Sequence, residues 1–482
     1  MISMVKRHGV PRFNKQTFLL GGNSMKKILS LALIAVLCAA LVLATGCTPK
    51  DTTGDKDTSS VTIENIYGSS DITEQQIAAF QNSGEITLYS SKADIVKGEY
   101  NDDTKAALDF YKKYYGLTIK YKYQAYGDNL TKFMVDYANG DAPDFITLDY
   151  RRWPKAGNRQ IVYSLSELEK KGIVGLDHPE MEKYKDLREP YVIDGEYYSP
   201  IATYCSPVIC AVNLDLFDEY KVKSPVEYYK EGTWDMDTYI KCCKEITRTK
   251  QDGTKIWGTY GWNYSWYLIA NDARLVQWDD NYKLKLTMND PLTVETLTTW
   301  KSLYDGEYSP SAEQWSQDQP FKSGNMGMFI YTANNLAADT FASTTFKWDV
   351  VPMPYGSKNT SGLVPGEING SGVVTSTKNA QGVINYLIAN RIWNNADRND
   401  EYSLYNIHTY EGVYNEEQLE LIYSFCDKID QDLYMGVGNL SNGWLFWNDI
   451  KGGTMTIKEC IEKWEPVWQE QVDEENAESV RK

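Results

Sequence analysis

Residues 261–266 read GWNYSW, an aromatic cluster in which Trp262, Asn263 and Trp266 set two flat rings beside an amide. Asp149-Tyr150-Arg151-Arg152-Trp153 sets a carboxylate and two guanidiniums between aromatic rings, and Trp444 and Trp447 lie three apart in NGWLFWND. Flat rings stack on apolar C–H faces, and fixed polar groups pair with hydroxyls. Together they are the equipment for holding a sugar. Asp149 would accept from one hydroxyl and Arg151 donate to its neighbour. The same rings could instead pack a core, since strand alternation would send one of Trp262 and Trp266 inward. Most of the 36 Tyr and 14 Trp are ordinary core and surface residues, but an excess of these rings is what a sugar-binding surface would use. Other chemistries lack their groups. His8, His178 and His408 are not spaced as metal ligands, and neither GxxxxGK[ST] nor GxSxG occurs. No cofactor is implied.

The elements that position these residues begin near Glu85. Ile86 to Tyr89 alternates as a strand, and Ala106, Ala107, Phe110, Tyr111 and Tyr114 recur at helical spacing before Gly116. Leu117 to Tyr123 alternates again. Asp128 then precedes a helix bearing Leu130, Phe133, Met134 and Tyr137, stopped by Gly140, and residues 143–149, PDFITLD, form a third strand. Strand–helix alternation at this spacing predicts an α/β fold with a parallel sheet and helices on both faces. Ligands in such sheets bind beyond the carboxyl ends of strands. Tyr89 and Ser91, residues 126–129 and residues 149–153 occupy those ends.

Ahead of the folded part, Lys26 and Lys27 precede an uncharged apolar run from Ile28 to Ala44, then Thr45-Gly46-Cys47. A positive start, an apolar middle and a small-residue end make an export signal. The cysteine at its end makes it resemble a bacterial lipoprotein signal, which implies cleavage before Cys47 and a lipid on its thiol. A retained membrane helix is the competing reading. Both put the rest of the chain outside the membrane. Removing 1–46 takes six of the 49 basic residues and none of the 66 acidic ones, for a mature charge of −23. Such a chain repels nucleic acid. Residues 48–60 read as a polar tether. Of the cysteines beyond Cys47, Cys243 shares a helical face with Met236 and Ile240 as a buried thiol, and a Cys426–Cys460 disulfide is left open.

GDAPDFITLD (140–149) resembles the G-x-x-P-D-apolar segment of bacterial extracellular solute-binding proteins of the carbohydrate, maltose-binding type, the receptors of ATP-driven importers. Further matches follow in the family's order: Ser164 to Leu168, the hairpin DGEYYSP (194–200), Ala211-Val212-Asn213 with Leu216-Phe217, Thr233-Trp234-Asp235, FKSGNMGM (321–328) and VVPMP (350–354). The resemblance implies two doubly wound α/β lobes joined by hinge crossings, with ligand in the cleft between them. Mapped here, 1–46 is the signal and 47–84 a tether and extension. Lobe 1 is 85–200 plus 331–372, and lobe 2 is 206–327 plus 376–482, with crossings at 201–207, 328–334 and 370–376. The resemblance adds Tyr204, Tyr331 and Asn334 on the crossings, and Trp444 and Trp447 late in lobe 2, as ligand contacts. It implies a monomer that performs no reaction, closes on a carbohydrate and docks on a membrane permease. A secreted glycoside hydrolase and a ligand sensor are the rival functions.

Overall fold

The computed structural model describes residues 63–68, 73–125, 130–183, 185–261, 263–310, 319–395, 412–437 and 440–480. The signal, Cys47, residues 126–129 and Trp262 lie outside them, as does the side chain of Tyr204. Among the described residues, no helix is long and apolar enough to cross a membrane.

Lobe 1 begins with a βαβ unit. Strand β1 (Gly84–Ser90) runs parallel to β2 (Leu117–Tyr123), with Ile86 opposite Ile119. Helix α1 (Asp102–Tyr115) crosses between them. Asn101 caps it by accepting from the Thr104 amide, and Gly116 ends it in the left-handed region at φ 60°. Its stripe of Ala107, Phe110, Tyr111 and Tyr115 is buried. Helix α2 (Thr131–Ala138) and strand β3 (Phe145–Leu148) follow. Asp128, the expected cap of α2, lies outside the described residues. Short helix α3 spans Lys155–Asn158.

Strand β4 (Ala202–Asn213) is the spine of the molecule. Its first half carries Cys205 into the lobe 1 core. Its second half sends Val208, Cys210 and Val212 to one face of lobe 2, and Ile209 and Ala211 to the other. Apolar residues on both faces describe a sheet covered on both sides. Lobe 2 continues with α4 (Met236–Ile246), β5 (Lys255–Gly261), α5 (Tyr264–Ile269), β6 (Met326–Thr332) and β7 (Trp348–Pro352). Both β6 and β7 pair antiparallel with the second half of β4. Strand β8 (Val364–Val373) returns along the first half of β4 and meets β3, antiparallel to both. The parallel expectation therefore holds for β1–β2, while the third strand of lobe 1 joins by antiparallel pairing. Helix α6 (Ala380–Asn395) comes next, and α7 (Leu440–Lys451) and α8 (Ile457–Ala477) close the chain.

The lobe boundaries differ from the expected ones in two places. Residues 331–354 belong to lobe 2, because β7 is hydrogen-bonded to residues 209–213 and Val351 and Met353 share a core with α4. Helix α6 belongs to lobe 1, because Val383, Ile384, Leu387 and Ile388 pack on Ile86, Leu88 and Phe110. The second crossing is accordingly β8 rather than 328–334. A third follows Cys426 and Ile429, which sit in the lobe 1 core, before Tyr434 in the lobe 2 core. The six cysteines from Cys205 to Cys460 are free and buried. Cys426 and Cys460 lie in different cores, so the open disulfide pairing does not form.

Candidate ligand cleft

The floor of the cleft is the pairing of β4 with β8. Ile368 lies opposite Cys205, and both are buried in the lobe 1 core. Alternation turns the preceding pair, Glu367 opposite Ser206, to the other face. There the Ser206 hydroxyl accepts from the Asn334 amide at 3.0 Å, which ties the end of β6 to the crossing. The Asn334 side-chain oxygen is shut off from solvent and accepts no hydrogen bond. Glu367 is half-buried. Burial pushes its carboxyl up to about 7, with Arg151 pulling it down and Asp149 pushing it further up.

The lobe 1 wall is the loop after β3. Asp149 is 4 % exposed. Its carboxylate accepts from the Arg151 backbone amide and Nε, both at 3.0 Å, and from the Arg151 terminal nitrogen. Arg152 Nη1 adds a fourth contact at 2.8 Å, and Arg152 also reaches Gln124 Oε1 at 3.3 Å. Asp149 was expected to take a ligand hydroxyl; here it positions two guanidiniums instead. The far nitrogen of Gln124 has no partner. Arg151 lies 5.5 Å from the Tyr150 ring centre.

The lobe 2 wall is α5 and the end of β6. Asn263 caps α5, accepting from the Ser265 amide at 3.0 Å and hydroxyl at 2.8 Å. Trp266 is 3 % exposed and meets Tyr331 edge-on, with centroids 5.9 Å apart. Trp266 is therefore mostly packing, and half-buried Tyr331 is the ring nearer the surface. Trp444 and Trp447 lie with centroids 4.9 Å apart and line a narrow notch with Asn263 and Tyr434. Tyr150 of lobe 1 is close enough to Tyr434 to act on it electrostatically.

Two expected contacts do other work. The Tyr89 hydroxyl donates to Asp136 at 2.6 Å, inside a lobe 1 network with Lys132. Ser91 is an exposed loop residue. A wider space of about 450 Å³ opens where Tyr150, Trp153 and Tyr191 face Arg274, Trp278 and Asp430. Its charged groups are engaged: Arg274 Nε donates to Asp430 at 3.0 Å, and Asp432 accepts three backbone amides. The Trp153 indole N–H there has no acceptor. The Asn334 side-chain oxygen at the end of β6 is likewise unsatisfied.

Residues 83–391 match the family of bacterial extracellular solute-binding proteins. The chain belongs to that family. Its structure is similar to an ABC substrate-binding protein of Listeria monocytogenes solved with cycloalternan, at 17 % identity and TM-score 0.59, covering 82 % of this chain and 98 % of that one. It is also similar to the GacH receptor of Streptomyces glaucescens, solved unliganded and with acarbose (17 %, TM-score 0.58, covering 81 % and 98 %). A third similar structure is UgpB of Mycobacterium tuberculosis with glycerophosphocholine (16 %, TM-score 0.58, covering 81 % and 99 %). No curated protein sequence matches the chain significantly.

In this solute-binding protein the residues that the sequence reading leaves unmarked are Gln124, Ser206 and Glu367. Even so, Glu367 carried a signal: it is the sole charge in VPGEINGSGV. The others carried none, because a Ser or Gln at a strand end is ordinary. Among the described residues, no His/Cys/Asp/Glu group is placed to hold a metal.

Proposed function

We propose that this solute-binding protein captures a sugar or oligosaccharide by closing its lobes over the β4–β8 floor, and hands it to the permease of an ATP-driven importer. It performs no chemistry on the ligand. It is held at the outer face of the cell membrane by lipid on Cys47, with residues 48–60 as the tether. Contacts from both lobes favour the closed arrangement once ligand is present. The observation that carries the sugar reading is the mixture at the cleft. Half-buried Tyr150 lies beside the Arg151 guanidinium, half-buried Tyr331 packs on Trp266, and half-buried Trp444 lines a notch with Asn263 and Tyr434. The similar structures solved with cycloalternan and acarbose support it. Family membership favours binding over hydrolysis.

The test is a melting-temperature screen of the full chain in mild detergent against neutral oligosaccharides, uronates, sugar phosphates, glycerophosphocholine, amino acids and peptides. Ligand at ~100 times its dissociation constant stabilises by about 2.7 kcal/mol. A neutral sugar that shifts the melt and is recovered intact is the expected result. A shift with glycerophosphocholine alone rejects the carbohydrate reading, and recovery of a cleaved sugar rejects the binding role.

A further inference from the structure

Six thiols are buried in the described fold, and two of them meet. Cys205 sits on the first half of β4, opposite Ile368 of β8. Cys426, 221 positions further on, opens the short turn into residues 429–430, which pair with the start of β8. The Cys205 thiol donates to the Cys426 carbonyl at 3.6 Å, and the Cys426 thiol to the Ile422 carbonyl at 3.6 Å. The two thiols also lie within hydrogen-bonding reach of each other. Both belong to the lobe 1 core, whereas Cys210, Cys242, Cys243 and Cys460 belong to that of lobe 2. Beside Cys426 is a cavity of about 230 Å³, lined also by Pro190, Leu363 and Ile368, with exposed Asp186, Glu189 and Asp427 at its rim. A small uncharged reagent can approach Cys426 there, while an anionic one is repelled.

We propose that Cys205 and Cys426 are a redox pair, closed to a disulfide by an external disulfide oxidant, and that the bond braces two of the three crossings at their lobe 1 ends. The family is extracellular, and disulfides persist in such surroundings. In the first step Cys426, as thiolate, attacks one sulfur of the oxidant. The oxidant's S–S bond breaks, a mixed disulfide forms and one external thiol leaves. Cys205, as thiolate, then attacks the Cys426 sulfur and expels the second external thiol. Two protein S–H bonds are lost and one S–S bond is gained. The two electrons and two protons end on the oxidant, as two thiols. Burial, and after it the Cys205 thiol and Asp427, push the Cys426 thiol up, so the folded protein oxidises slowly. The bond closes a long loop, which restrains the unfolded chain, and it ties β4 to the segment entering the third crossing.

The experiment incubates the full chain in mild detergent with hydroxyethyl disulfide, both folded and during refolding from denaturant. Free thiols are then blocked, and peptides are mapped without reduction. Wild type, Cys205→Ala and Cys426→Ala are compared. The expected result is one linked pair of peptides, carrying Cys205 and Cys426, with the lobe 2 cysteines blocked as free thiols. The melting temperature of oxidised wild type rises by roughly 5 °C or more, and reductant reverses the rise. Neither variant shows the link or the rise. Cys205 and Cys426 both blocked as free thiols after both treatments overturns the inference. So does a link to another cysteine, or a mixed disulfide on Cys426 that Cys205 does not resolve. A link without a reversible rise overturns the bracing role. If a variant fails to fold, the wild-type map decides by itself.

Discussion

A carboxyl that keeps its proton to about pH 7 couples folding to pH. Glu367 is held there chiefly by burial, and the charges facing it are Arg151 and Asp149 from the loop after β3; its neighbour on β4, Ser206, is uncharged. Its folded pKa is raised above the ~4.3 of an unfolded chain. Its contribution is therefore complete below about pH 4 and is lost as pH rises through about 7. Asp432, pushed up to about 6 by burial, adds a second decline in the same direction. Glu367→Gln removes only the first. Its stability should match that of wild type near pH 4 and exceed it at pH 8, by an amount on the order of 1–3 kcal/mol. Denaturation at both pH values checks this. A constant offset between the two proteins would mean that the carboxyl titrates normally. Asp149, by contrast, is a residue whose type was read well and whose role was not. Sequence shows a carboxylate beside two arginines, but only the folded loop shows that all three are committed to one another.

At the scale of elements, local pattern was a good guide wherever one stretch of chain decides the outcome. Helix α1, its Gly116 stop, the hairpin at 192–197 and the Asp235 capping box of α4 all follow from neighbours within a few residues. What pattern could not give was the lobe to which an element docks. Helix α6 is apolar on several sides, and its sequence suits either core. Its assignment comes from contacts with Ile86 and Phe110, nearly 300 residues earlier in the chain. The same holds for β7, whose register with β4 is a long-range pairing. This assignment has a consequence. Ile384 is fully buried, and Ile384→Ala should cost about 2–5 kcal/mol by leaving a cavity. The loss should be local to lobe 1. Amides of β1 and β2 should exchange faster with solvent while those of α4 and β5 stay protected. Faster exchange confined to lobe 2 would return α6 to the other lobe.

At the scale of the molecule, the lobes touch away from the crossings. Gly436 lies so close to the Trp153 carbonyl that a Cβ would come within 1.6 Å of it. Further along, α8 packs on the lobe 2 core through Trp464, Trp468 and Val472, yet its last turn reaches lobe 1. Glu475 is 1 % exposed. It accepts from Arg159 Nη2 at 2.6 Å and Nε at 3.2 Å, and from Asn158 Nδ2 at 3.1 Å, while Asn158 also holds its backbone carbonyl at 3.0 Å. Ala156 beside them is buried in the lobe 1 core. A buried carboxylate with this many donors is well satisfied, and removing one partner from such a pair costs roughly 3–5 kcal/mol. The lobes can escape that cost by separating, which lets water reach Arg159. Glu475→Gln should therefore act mainly on closure. A bias of about 3 kcal/mol changes an open-to-closed ratio by more than 100-fold. X-ray scattering should show a larger radius of gyration for the unliganded variant than for wild type. Ligand affinity should fall, and saturating ligand should restore the wild-type radius. A variant with unchanged radius and affinity but a lower melting temperature would mean that the contact braces the fold and leaves closure to the ligand alone.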